Sequence, residues 1–215
     1  MRSLYTQVIL ATAALSVCGA PPARAQSPGP PRLCQSAHPA PISEDSIGPL
    51  NLERPLGDLK RACASSYDTT AALSPDRPKF PGVAFPFKDL SVVALQYSGA
   101  NLDTSRAADG WVVAGGGGVL PNGVPTTATW SQLYHRYGRA QANMRGVLLI
   151  RFCALPRILF TMNVVGGSPK GGVVPRAEES DSTDVVDLTK IPAESTIHHL
   201  FILSKRLAAS LLPCK

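Results

Sequence analysis

An uncharged apolar run stands almost at the amino end, Val8-Ile9-Leu10-Ala11-Thr12-Ala13-Ala14-Leu15-Ser16-Val17-Cys18. Met1-Arg2 precedes it, and Gly19-Ala20-Pro21-Pro22 and Ala23-Arg24-Ala25 follow. A positive start, a short apolar stretch and a small-x-small triplet are the parts of a secretory signal peptide, in working order. The run falls short of the ~20 apolar residues that span a bilayer. Residues 1–25 therefore read as a leader cleaved after Ala25 on the general secretory route. The working chain then begins at Gln26, in the periplasm or outside the cell. A lipoprotein needs a small residue before its cysteine, and Val17 holds that place before Cys18; no arginine pair marks a twin-arginine signal.

Export constrains the fold through its thiols. Cys18 leaves with the leader, and Cys34, Cys63, Cys153 and Cys214 remain, an even number for an oxidising compartment. Four cysteines allow three pairings. Cys63 ends an amphipathic helix and Cys153 an apolar strand, so both are expected to point inward; Cys34 and Cys214 lie near chain ends. The ranking that follows is Cys63 with Cys153 and Cys34 with Cys214. No C-x-x-C or close Cys/His spacing supports a metal site instead.

Size and charge set further bounds. The formal net charge of the 215 residues is +6, and Arg2 and Arg24 leave with the leader, which puts the mature chain at +4. The basic residues are scattered, with no stripe interleaved with aromatics, so a nucleic-acid partner is not indicated. With 44% hydrophobic and 17% charged residues, the chain reads as one globular domain and not a disordered tail. Beyond the leader no apolar stretch is long enough for a transmembrane helix.

Along the mature chain, residues 26–46 carry five prolines and read as an extended, partly disordered lead-in, with the domain spanning 47–215. The first unit, about 47–100, opens with Ile47-Gly48-Pro49-Leu50. Leu56, Leu59 and Cys63 then share one face of a short helix with Pro55 at its start. A loop is expected up to Pro81, then a brief strand at 83–85 and a longer one at 90–97. The second unit, about 111–165, places the strand Trp111-Val112-Val113 before four glycines. Thr129 and Gln132 form a capping-box pattern ahead of a helix whose apolar face is Trp130, Leu133, Tyr134 and Tyr137, stopped by Gly138. A polar loop leads to strands 146–153 and 157–164, expected as an antiparallel hairpin. A weak strand at 184–188, a strong one at 196–203 beside it, and a helical turn near 206–212 complete the reading. The expected class is α+β: two tandem helix-then-hairpin units, with short helices packed on one face of an antiparallel sheet.

Two helix-then-strands units in tandem resemble the plan of β-lactamase inhibitor proteins and of the small outer-membrane assembly lipoproteins. The chain is also similar to uncharacterised exported bacterial proteins that carry a Gly-Pro-Leu segment followed by an amphipathic helix ending in Cys, here Gly48-Pro49-Leu50 and Cys63. The likeness covers Ile47–Val164 and departs from the lipoproteins in lacking their lipidation cysteine motif. It implies a binding or assembly role and carries over no partner residue.

Catalytic signatures are missing at the points where they would stand. Gly167-Ser168-Pro169-Lys170-Gly171 lacks the spacing of a nucleophile elbow. Gly115-Gly116-Gly117-Gly118 runs into Val119-Leu120-Pro121 and not into the Lys-Ser/Thr of a phosphate loop, so it reads as a wide turn. His38 sits in the lead-in, and His135 lies on the polar side of its helix. His198 and His199 are neighbours on a strand, where alternation sends side chains to opposite faces, so they are not expected to share an ion. The acidic stretch 178–187 lacks the alternating calcium-loop pattern. No metal, cofactor or catalytic residue is assigned. The expected function is a binding or interaction module whose partner is an envelope protein or a cell-surface component. Two others remain: a hydrolase-type envelope enzyme, in which folding brings His135 or His198/His199 to a carboxylate from 178–187, and a structural envelope protein.

Overall fold

The computed structural model describes residue 34 and residues 39–71, 79–144, 148–164 and 188–211. Residues 1–25, expected to be a leader, Cys214, Gly166–Gly172 and the acidic stretch 178–187 lie outside the described residues. The chain runs through β1 (Ala40–Pro41), β2 (Ser46–Ile47), β3 (Leu50–Asn51), α1 (Leu56–Ala62), β4 (Tyr67–Ala71), β5 (Phe80–Phe87), β6 (Leu90–Leu95) and β7 (Gly110–Gly115). It continues through β8 (Gly118–Leu120), β9 (Val124–Pro125), α2 (Trp130–Tyr137), β10 (Ala140–Met144), β11 (Leu148–Phe152), β12 (Ile158–Asn163), β13 (Thr196–Leu203) and α3 (Lys205–Ala208).

Eight strands form one antiparallel sheet in the order β10-β11-β12-β13-β7-β6-β5-β4. Two four-strand meanders therefore meet edge to edge where β13 pairs with β7, Leu200 opposite Val113 and Ile202 opposite Trp111. This overturns the α+β expectation of two helix-then-hairpin units. The described residues are predominantly β, and the three α-helices among them are only 7, 8 and 4 residues long. The expectation failed at β4 and β10, which the sequence presents as polar loops. Each is an edge strand that needs apolar side chains on one face at most, and in β10 these are the alanines Ala140 and Ala142. The supposed strand partner at 188 is a 3-10 turn, Leu188–Lys190, and β13 pairs with β12 and β7.

Alternation along the strands puts Val83, Phe85, Val92, Ala94, Trp111, Val113, Ile150, Phe152, Ile158, Phe160, Leu200 and Ile202 on one face, all within the buried core. The buried side chains of α1 (Leu56, Leu59) and α2 (Trp130, Leu133, Tyr137) join that same core. Phe152 is its aromatic hub, with ring centroids 5.8 Å from Trp130, 5.5 Å from Tyr137 and 5.4 Å from Phe160. α2 forms where the capping box predicts. The Gln132 backbone N–H donates to Thr129 Oγ1, the Gln132 side chain accepts from the Thr129 N–H, and Gly138 closes the helix at φ 67°.

Order begins earlier than the proline content implies. Ala40 and Ile42 are buried, and β1 pairs in parallel with β8. A side chain at Gly118 would meet those of Ile42 and Thr126, which would have to shift. Ile47-Gly48-Pro49-Leu50 is the turn joining β2 to β3; Gly48 takes φ 54° ahead of a proline, the pattern of a II′ turn, and it buries Ile47 and Leu50.

The sulfurs pair differently from the ranking. Cys34 bonds Cys63, with Cα atoms 5.5 Å apart, in place of the expected Cys63–Cys153 and Cys34–Cys214. Cys63 does point inward, but its partner there is Cys34. Cys153 is itself disulfide-bonded, and its partner is outside the described residues.

Candidate functional site

The second face of the sheet has a different character. Following the ladders across all eight strands gives one continuous row, Gln141–Arg151–Leu159–Phe201–Val112–Val93–Ala84–Tyr67. The four central residues are apolar and only partly buried, and none of the row belongs to the core cluster. At one end Arg151 donates to Gln141 Oε1 at 3.0 Å. At the other, Tyr67 is 59% exposed. Beside Tyr67 lies a depression of about 480 Å³ whose lining includes the small residues Ala84, Ser91, Ala114 and Gly115, with Pro86 and Asp89 along its rim. An apolar centre with polar and aromatic margins is the anatomy of a recognition surface.

His198 and His199 stand on this face. Thr161 pairs with His199 and Met162 with Ile197, so His198 is an extra residue in a β-bulge. The expectation that the two rings point apart is therefore incorrect; their centroids are 3.9 Å from each other. His198 Nδ1 lies 2.6 Å from Asn163 Oδ1, and the His199 backbone N–H donates to Thr161 Oγ1 at 3.0 Å. Partial burial, with the neighbouring His198 adding to it, holds the His199 imidazole below its ordinary pKa.

The other residues singled out from the sequence scatter. His135 is exposed on α2. Trp130 and Tyr137 are buried in the core, while Tyr134 is 51% exposed and flanks a second depression of about 420 Å³ with Arg139 and Leu188. Among the described residues, no histidine hydrogen-bonds a carboxylate, and no group of three metal-ligating side chains converges. The four glycines span the turn from β7 to β8, where Gly115 and Gly117 approach the Lys88–Asp89 backbone.

Sequence reasoning missed two buried polar anchors. The Arg157 side chain, in the turn between β11 and β12, donates to Asp45 at 2.7 Å, Glu53 at 3.0 Å and the Leu203 carbonyl at 2.9 Å; its backbone N–H donates to Glu44 at 2.8 Å. This clamps the β2–β3 hairpin to the end of β13. Asp109 accepts from the Tyr97 backbone N–H at 2.9 Å and from Arg206 at 2.6 Å. A lone arginine in a turn and a lone aspartate before a strand read as solvated, and nothing local marks them otherwise.

No family model matches the chain, and no curated protein matches it. A solved structure that resembles it is the uncharacterized protein yfeY from Escherichia coli, at 12% identity and a TM-score of 0.47, covering 76% of this chain and 99% of that one. A likeness at that level carries no functional argument.

Proposed function

We propose that this chain is an exported binding module that docks a partner protein on the second face of its sheet. The observation that carries the reading is the half-buried apolar row Leu159–Phe201–Val112–Val93, laid across the four central strands opposite the core. Apolar surface left contiguous on one face of a sheet lowers its free energy when a partner covers it, at roughly 25 cal/mol per Å² buried. Export is supported by the signal-like amino end and by the Cys34–Cys63 disulfide, a bond that persists in oxidising compartments. No described helix is long and apolar enough to cross a membrane.

The test is retention of a partner from envelope extract by the immobilised mature chain. A discrete protein should be retained by the wild type and by Arg61→Ala, a change on α1 remote from the row. It should be lost from the Val93→Lys/Leu159→Lys variant. Equal retention by that variant, with its circular dichroism unchanged, overturns the reading. Cell fractionation with intact-mass analysis checks export: the product should begin at Gln26 and lie outside the cytoplasm.

A further inference from the structure

Two neighbouring imidazoles on one side of a strand are a rare arrangement, because alternation normally separates neighbours. Here the bulge at Thr161/Met162 removes that separation, and the rings of His198 and His199 lie side by side on the exposed face. Their surroundings also fix how one of them is protonated. An amide oxygen can only accept, so the 2.6 Å contact from His198 Nδ1 to Asn163 Oδ1 places the ring proton on Nδ1. In the neutral ring this leaves the lone pair on His198 Nε2. A metal-ligating histidine is commonly held in this way, its far nitrogen donating to an oxygen that sets tautomer and ring orientation. No side chain among the described residues engages either nitrogen of the His199 ring. Two imidazoles bound to one ion at about 2.0 Å keep their centroids roughly 4–5 Å apart, so the 3.9 Å spacing needs only a small side-chain rotation.

We infer that His198 and His199 form a two-histidine site for a first-row divalent transition-metal ion, Cu(II) in preference to Zn(II), positioned by Asn163. Imidazole nitrogen suits both ions, and the intrinsic affinity order puts copper first. No third protein ligand converges among the described residues. The inference is independent of the docking surface proposed above: it rests on the bulge and on the Asn163 contact.

Calorimetric titration of the purified mature chain with Cu(II), followed by electron paramagnetic resonance of the complex, tests it. The wild type should bind one equivalent more than the His198→Ala/His199→Ala variant, and its spectrum should carry hyperfine coupling from two imidazole nitrogens. Asn163→Ala should weaken that equivalent about tenfold, and His135→Ala should leave it unchanged. Zn(II) should bind the same site more weakly. Identical titrations of the wild type and the folded double variant, or a spectrum with no difference between them, would overturn the assignment.

Discussion

The two faces of the eight-stranded sheet are built from the same strands, yet they are occupied differently. On one, Trp111, Phe152, Phe160 and their neighbours are sealed beneath α1 and α2. On the other, the flanking residues Val112, Leu159 and Phe201 remain partly open to solvent. A chain needs only one face of an antiparallel sheet to be apolar in order to fold, and the other is usually polar. Under the docking proposal, apolar residues on the two faces serve two separate roles: the first holds the molecule together, and the second meets a partner. Four predictions probe that difference.

Phe152→Ala should have the largest effect. Its ring packs against Trp130, Tyr137 and Phe160, and its loss should cost about 3–5 kcal/mol in denaturant unfolding. Cys34→Ser/Cys63→Ser, which removes a disulfide of sequence separation 29 and leaves that of Cys153 in place, should cost about 3 kcal/mol, read as a lowered unfolding midpoint. A smaller effect belongs to the histidine pair. Because the folded state holds His199 below its ordinary pKa, the unfolded chain binds more protons in that window. Stability should be full above about pH 6.5 and decline as the pH falls through the depressed value. His199→Gln should flatten that decline in unfolding midpoints measured across the acidic range. Smallest of all, Val93→Lys and Leu159→Lys should each cost about 1 kcal/mol or less, while abolishing partner retention. If these outer-face changes proved as damaging as Phe152→Ala, the two faces would be equivalent, and the second would be core.

Tyrosine titration gives a further check on the core. Burial raises the Tyr97 and Tyr137 phenols to about 12. The stability that comes from keeping them neutral is present below the unfolded value and is lost as pH rises through about 12, which tyrosinate absorbance would follow.

Much of this division could be read from residue order alone. α2 announces itself through Thr129, Gln132 and Gly138, and β13 runs over the predicted 196–203. The unbroken apolar runs Val92-Val93-Ala94-Leu95 and Leu200-Phe201-Ile202-Leu203 already signal apolar residues on both faces. The rest depended on neighbours distant in sequence. β4 and β10 are edges, so little selects their side chains for hydrophobicity, and Tyr67-Asp68-Thr69-Thr70 looks like a loop. The His198 bulge exists only because β12 pairs out of step with β13, and no pattern within β13 encodes that. Arg157 becomes a clamp only once Asp45 and Glu53 arrive from more than a hundred residues away.

Photo-crosslinking in the producing cell puts the division of labour to its most direct trial. A photoreactive residue at position 112, in the middle of the open row, should capture one discrete protein, and the same residue at position 61 on α1 should capture none. No adduct at position 112, or the same adducts at both positions, would contradict the account.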